Sequence, residues 1–172
     1  MERKYYSVGQ GKPPIWIQPI LENKEMTDID FFHFTDMLDW SKQGDDMAGM
    51  EPLIACLAQW GDNLIFAFDE KMSELLYRLD TKEIATRTYK DEDYFSGDDF
   101  LYVRCTALIN GKPYYNAIVN KRKKLNSDTE FEAILYAPSY AWARTHGKGE
   151  EDYPYVTKVS YETGSNEEGW PL

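Results

Sequence analysis

The segment from Asp62 to Leu79 constrains the fold more strongly than any other part of the chain. Its apolar side chains recur every three or four residues, which places them on one face of an α-helix. The stripe consists of Ile65, Phe68, Met72, Leu75, Leu76 and Leu79. A helix with such a long apolar face is stable when that face is buried against other elements. The stripe therefore predicts a domain built from packed helices.

Other segments carry residues that typically begin or end helices. Capping sequences occur at TDID (27–30), DTKE (80–83), SGDD (96–99) and SDTE (127–130), Pro52 and Pro113 suit first turns, and Gly61, Gly111 and Gly147 suit helix ends. These signals predict helices starting near residues 28, 51, 63, 81, 98 and 113, with further helical stretches at 131–137 and 139–147. The predicted fold class is mainly α, a single-domain bundle of six to eight helices.

The two ends of the chain have a different pattern. Residues 4–8 and 15–21 are rich in β-favouring side chains, and residues 155–163 alternate as a half-buried strand does. We therefore expect a minor β element formed by the terminal segments. The predicted organisation is an extended N-terminal arm at 1–27, a helical domain at 28–147, and a C-terminal strand and tail at 148–172. The aromatic residues of the two ends either pack back onto the helices or form a recognition surface.

Size and composition favour a soluble domain. A chain of 172 residues buries about 70% of its unfolded surface on folding, so it needs no disulfide or metal. The two cysteines, Cys56 and Cys105, lie in apolar-periodic segments, as expected in a reducing compartment. The longest apolar run, at 64–68, is far shorter than the ~20 residues that span a bilayer, and the first residues lack the apolar run of a signal peptide. We expect a soluble, cytoplasmic protein.

The formal net charge of −11 limits the kinds of partner. A negative surface repels nucleic-acid phosphates and anionic lipids, so we expect binding neither to nucleic acid nor to membranes. The basic block at 121–124 is typical of a solvated helix end, and a phosphate contact is its alternative interpretation. A basic protein partner fits the charge, and so does an ordinary acidic surface without a partner. The sequence predicts no oligomeric state.

Arg104 interrupts the apolar face of the helix that follows SGDD. On a helical wheel it lies between Phe100, Ala107 and Leu108, so its guanidinium is expected to be buried. A buried guanidinium is stable only if a carboxylate or the carbonyls of a helix end meet it. Two interpretations stay open: a structural ion pair in the core, or an anion-binding residue at the floor of a cleft.

The acidic loop before this helix is the candidate binding site. Its carboxylates surround two aromatic side chains, a combination that steers a basic partner electrostatically and then holds it by apolar contact. The predicted binding residues are Asp91, Glu92, Asp93, Tyr94, Phe95, Asp98 and Asp99. The segment does not match a calcium-binding loop, because Ser96 and Tyr102 stand where that motif needs glycine and glutamate.

No sequence pattern predicts catalysis. His33, His146, Cys56 and Cys105 do not share the spacing of metal ligands. The sequence contains no Gly-x-Ser-x-Gly motif, and neither cysteine lies in the context of a nucleophile. We therefore predict no catalytic residue, no metal and no cofactor.

Four segments of the chain carry a family resemblance. They are DIDFFHFTDML, LIFAFDEKMSELLYRL, SGDDFLYVRCTALINGK and EFEAILYAPSYAWARTHG, which together cover roughly residues 28–147. In these segments the chain resembles an uncharacterised bacterial family known as domain of unknown function 4240. Arg104 and Gly111 match that family's Phe-Arg-x-Trp-Leu-x-x-x-Gly helix, whereas Val103 and Thr106 replace its large aromatic residues. The resemblance implies a fold and almost no chemistry, because the family has no known activity.

The predicted function is a non-enzymatic, acidic binding domain that interacts with a protein partner. A toxin-neutralising, immunity-like protein is one form of it, since small acidic proteins that neutralise basic toxins share this composition. One alternative is a small-ligand-binding protein or an enzyme with a cleft around Arg104. Another is a module of a larger regulatory or stress system.

Overall fold

The computed structural model describes residues 11–171, which form eight α-helices and three short 3-10 helices. The α-helices are α1 (Gln18–Asn23), α2 (Asp28–Thr35), α3 (Asp46–Trp60), α4 (Asp62–Leu79), α5 (Lys82–Thr88), α6 (Gly97–Ile109), α7 (Lys112–Val119) and α8 (Ala137–His146). The 3-10 helices are Glu132–Tyr136, Glu150–Asp152 and Glu167–Gly169. The prediction of a mainly α, single-domain helical bundle is confirmed. No helix within residues 11–171 combines the length and the apolar character needed to cross a membrane.

Side-chain caps explain where several helices begin. Thr27 and Ser96 form complete capping boxes at the starts of α2 and α6, which satisfies amide groups that have no partner within the helix. α3 begins at Asp46, earlier than the predicted residue 51, because the Asp45 carboxylate accepts a hydrogen bond from the Ala48 amide at 2.9 Å. A short polar residue before the predicted start therefore adds a full turn to this helix.

Two other boundaries differ from the prediction. α7 ends at Val119, so the basic block at 121–124 lies beyond the helix and not in its last turn. The capping box predicted at 127–130 is not formed, since the Thr129 amide and hydroxyl both donate to the Asn126 carbonyl in a turn. Only a 3-10 helix, Glu132–Tyr136, then leads into α8.

α4 lies at the centre of the core. All six residues of its apolar stripe are fully buried, and the helix packs against α1, α2, α3, α6, α7 and α8. Phe68 of α4 stacks on Phe31 of α2, with ring centroids 4.8 Å apart. Because α4 touches so many elements, side chains at its exposed edge are held in fixed positions.

The expected β element is wrong for the described part of the chain, because residues 11–171 contain no strand. Residues 15–17 form a turn that leads into α1, and Ile17 and Ile20 are buried in the core. The other N-terminal segment, residues 4–8, lies outside the described residues. Residues 155–163 have no partner strand and bend at 158–159 and 162, and every second side chain is half-buried. The predicted alternation of side chains is present, but its inner side packs against helices and not against a neighbouring strand.

Candidate functional site

Arg104 is fully buried between α4, α6 and the C-terminal segment. One Nη donates to the Leu76 carbonyl at 2.9 Å, and the other donates to the Tyr161 carbonyl at 2.9 Å and to Thr163 Oγ1 at 3.0 Å. No carboxylate in the described range forms an ion pair with it, so the core ion pair is not what the structure contains. The Leu76 carbonyl at the end of α4 and the Tyr161 carbonyl of the C-terminal segment meet the guanidinium, while its buried Nε has no hydrogen-bond partner. Burial lowers the pKa of Arg104 from its ordinary value.

Asp80 is the second buried charge that holds the C-terminal segment. Its carboxylate accepts hydrogen bonds from the Gly164 amide at 3.1 Å, the Asn166 amide at 3.1 Å and the Trp170 indole at 2.8 Å. The side chain has no exposed surface. Together, Arg104 and Asp80 fix residues 161–170 against α4 and α6. Sequence reasoning assigned Asp80 only to a capping box and missed this role.

The predicted binding residues of the acidic loop differ in exposure and in the contacts that they make. Tyr94 is 80% exposed, while Phe95 turns inward and stacks on Tyr89 with ring centroids 4.3 Å apart. Asp99 is used in the cap of α6, where hydrogen bonds from the backbone and hydroxyl of Ser96 lower its pKa. The remaining carboxylates, Asp91, Glu92, Asp93 and Asp98, are exposed. Of all these residues, Asp98 alone lines the cavity described next.

Beside the loop lies a cleft of about 550 Å³, which we call the tyrosine cleft. Five tyrosines line it, namely Tyr102, Tyr136, Tyr153, Tyr155 and Tyr161. Four carboxylates also line it, namely Asp69, Asp98, Glu132 and Glu162. They come from α4, α6, the 3-10 helix at 132–136 and residues 153–162, which we call the strap. No lysine, arginine or histidine is among its lining residues.

Two side chains of α4 hold the strap in place. The Tyr153 hydroxyl donates to Asp69 at 3.0 Å, and the Tyr155 hydroxyl donates to Glu70 at 2.7 Å. Glu70 also accepts the Lys158 amide at 3.0 Å. The Tyr155 ring stacks on Phe66 at 4.6 Å, so the strap is packed as well as hydrogen bonded. One wall of the tyrosine cleft is therefore preformed.

Negative charge is concentrated around the tyrosine cleft. Burial raises the pKa of Asp69 to about 6, against the opposing hydrogen bond from Tyr153. Burial, together with the charges of Asp69 and Glu162, raises the pKa of Tyr161 to about 12. The pKa of Tyr102 is also raised, first by desolvation and then by its carboxylate neighbours Glu132, Asp98 and Glu162. A cation entering the tyrosine cleft would relieve this crowding of like charges.

The remaining chemical candidates are held in structural contacts. Cys56 and Cys105 are unpaired thiols, and burial raises their pKa values to about 11 and about 12, so both are protonated near neutral pH. The His146 ring stacks on Trp142 at 4.4 Å, and His33 packs edge-on against Trp16 at 5.6 Å. Within the described part of the chain, no three potential ligands gather into a metal-binding group.

Sequence reasoning named one residue of the tyrosine cleft, Asp98, as a binding residue. It marked the aromatic residues of the strap as a surface that either packs inward or recognises a partner. Tyr155 packs on Phe66, whereas its neighbour Val156 is 87% exposed. Asp69, Glu132 and Tyr102 were missed, because each looks like an ordinary helix residue in its own segment.

Comparison with known proteins bears on the family. Neither the curated proteins nor the solved structures include a match to the chain. The sequence model of one family, described as "Protein of unknown function (DUF4240)", matches residues 26–162. This range contains the helices from α2 to α8 and the strap, and it ends before Thr163. Because the match covers well over half of the chain, the protein belongs to the DUF4240 family.

Proposed function

We propose that the protein is a non-enzymatic binding domain for a basic protein partner, and that the partner contacts the tyrosine cleft. One observation carries the proposal: five tyrosines and four carboxylates line this cavity, and no basic side chain does. Aromatic faces and carboxylates both attract cations, and tyrosine is enriched at the centres of protein interfaces.

The rim of the tyrosine cleft suits a protein partner. Val156 is 87% exposed, and Tyr136 and Tyr140 are 41% and 38% exposed, with their ring centroids 6.1 Å apart. Apolar groups around a charged cavity exclude water when a partner docks, which strengthens the central contacts. The exposed carboxylates of the neighbouring loop, including Asp91 and Asp93, add long-range attraction.

A toxin-neutralising role is the specific form of this proposal that the charge supports, since a basic toxin is a partner of the required chemistry. We place the protein in the cytoplasm, where its two unpaired cysteines stay reduced. The alternative, an enzyme or ligand site around Arg104, has less support. That side chain has no exposed surface and both of its Nη atoms are already hydrogen bonded, so its buried Nε, which has no partner, is out of reach of a ligand.

The test compares two charge-matched variants in affinity capture from cells of the source organism. The cleft variant carries Asp98→Asn, Glu132→Gln and Glu162→Gln, and the control variant carries Glu22→Gln, Glu25→Gln and Asp128→Asn, which lie outside the tyrosine cleft. The wild type and the control should capture the same basic protein, and the cleft variant should not.

Binding kinetics with the purified partner then follow. The association rate should fall steeply with added salt, because exposed charges are screened over ~8–10 Å near physiological ionic strength. A partner that binds the cleft variant as well as the control variant would contradict the proposal, and so would a reproducible turnover activity.

A further inference from the structure

Five of the eight hydroxyl groups that line the tyrosine cleft donate their proton to a described acceptor within the protein, the other three being those of Tyr102, Ser160 and Tyr161. Donors with a described acceptor are Tyr136 (to Glu132), Tyr153 (to Asp69), Tyr155 (to Glu70), Ser139 (to the Tyr136 carbonyl) and Thr157 (to the Val159 carbonyl). Each of these hydroxyl oxygens keeps a lone pair, but none has a second proton to give. Toward a ligand, the polar lining therefore behaves mainly as an acceptor.

Unused carboxylate oxygens add to this acceptor surface. Asp98 and Glu162 make no described side-chain hydrogen bond or ion pair, and Asp69 uses one of its two oxygens, whereas Glu132 already interacts with Tyr136 and Tyr102. Ionised carboxylates accept and do not donate. A complementary ligand must supply several N–H donors and positive charge, together with a flat face that can lie against the tyrosine rings.

We propose that the tyrosine cleft binds the guanidinium group of an arginine side chain on the partner protein. This inference rests on the proposed function and deepens it. A guanidinium offers five N–H donors in one plane and stacks on aromatic rings. A lysine ammonium has three donors on a strongly hydrated point charge, and a quaternary ammonium has none. The acceptor lining therefore favours arginine over both other cations.

The same chemistry distinguishes an arginine within a chain from the free amino acid. Free arginine carries an α-carboxylate, which the four carboxylates of the tyrosine cleft repel. A peptide-bound arginine lacks that group, and its backbone can lie along the apolar rim at Tyr136 and Val156. The preferred occupant is thus an arginine that protrudes from a protein surface.

The experiment titrates the full-length protein with capped tripeptides and follows backbone amide chemical shifts by NMR. The probes are acetyl-Gly-Arg-Gly-amide, its lysine and citrulline counterparts, free arginine and choline. Citrulline has nearly the shape of arginine without the charge. The arginine peptide should shift amides of α6, the 3-10 helix at 132–136 and the strap. The citrulline peptide should bind about tenfold more weakly or not at all, because charge-assisted hydrogen bonds are about twice as strong as neutral ones.

A pair of variants locates the binding. Glu162→Gln keeps the shape of an exposed side chain in the tyrosine cleft, and it should lower the affinity for the arginine peptide about fivefold or more. Glu167→Gln changes an exposed residue of the C-terminal segment that does not line the tyrosine cleft, and it should leave binding unchanged. Melting temperatures equal to that of the wild type would show that the fold is intact in both variants.

Several results would overturn the inference. Equal binding of the citrulline, lysine or choline probe would remove the preference for guanidinium, and shifts confined to other surfaces would remove the site. If a basic protein bound through the tyrosine cleft while the arginine peptide caused no shift there, the inference would fail and the proposed function would stand. If neither bound, both would fail.

Discussion

Replacing Arg104 with methionine tests the account of the buried guanidinium. Methionine fills much of the same space, but it leaves the Leu76 and Tyr161 carbonyls without their donor. The Leu76 carbonyl has no replacement, because the Asp80 amide already donates to Tyr77. Thr163 keeps its hydrogen bond to the Gly97 carbonyl. One buried acceptor, the Leu76 carbonyl, and one partly buried acceptor, the Tyr161 carbonyl, are therefore left unpaired.

The expected loss of stability follows from those two acceptors. Each unsatisfied buried acceptor costs about 1–3 kcal/mol, and the apolar methionine side chain offsets part of the sum. We expect the free energy of unfolding to fall by about 3 kcal/mol. For a chain of this size, that loss lowers the melting temperature by about 6–12 °C. Arg104→Lys should lie between the wild type and Arg104→Met, because an ammonium reaches fewer of the oxygens.

Urea unfolding monitored by circular dichroism measures this difference, and hydrogen exchange shows where it acts. The amides of Gly164 and Asn166 should exchange faster in Arg104→Met, since the segment that they anchor loses one of its two buried attachments. Arg144→Met is the matched control, because Arg144 forms an exposed ion pair with Glu51 that is worth less than about 1 kcal/mol. If Arg104→Met were as stable as this control, the account of Arg104 would be wrong.

Two further predictions concern Asp69 and Gly169. The pKa of Asp69 is raised to about 6, so the folded state binds the proton of this carboxyl more tightly than the unfolded state does. Proton binding therefore adds to the free energy of unfolding, fully below about pH 4, and this contribution is lost as the pH rises through about 6. The free energy of unfolding of Asp69→Asn relative to the wild type should therefore rise by about 2–3 kcal/mol between pH 4 and pH 7, as measured by urea titration. A difference between the two proteins that does not change with pH would contradict this. A Cβ at Gly169 would lie 2.6 Å from the Asp80 carbonyl oxygen, so Gly169→Ala should cost about 1–3 kcal/mol in the same assay. Gly97→Ala is its control, because the nearest atom there is 3.6 Å away, and equal stabilities would refute the steric argument.

The helices could be predicted from the sequence because their signals are local. The capping boxes at Thr27 and Ser96 and the apolar stripe of α4 each lie within one segment, and each predicted its helix correctly. The alternation at 155–163 correctly showed that one side of the segment faces the protein. It could not show what covers that side, since a helix surface and a neighbouring strand favour the same period of two.

The candidate site could be predicted only in part, because its residues come from distant segments. Tyr102, Glu132 and Tyr161 line one cavity, yet none of them has a local pattern that pairs it with the others. The partners of Arg104 show the same limit. Burial could be derived from a helical wheel, but Tyr161 and Thr163 lie 57 and 59 positions further along the chain. Such pairings depend on the packing of the whole bundle.

The anchoring of residues 161–170 has a consequence for biosynthesis. Chains emerge from the ribosome amino-terminus first, so α4 and α6 are made well before the groups that satisfy Arg104 and Asp80. Until residues 161–170 have left the exit tunnel, Arg104 lacks Tyr161 and Thr163, and Asp80 lacks Gly164, Asn166 and Trp170, so water must hydrate the two charges in their place. The bundle thus completes its folding only after Trp170 has emerged, and we expect a chain truncated before residue 161 to be more open to proteases.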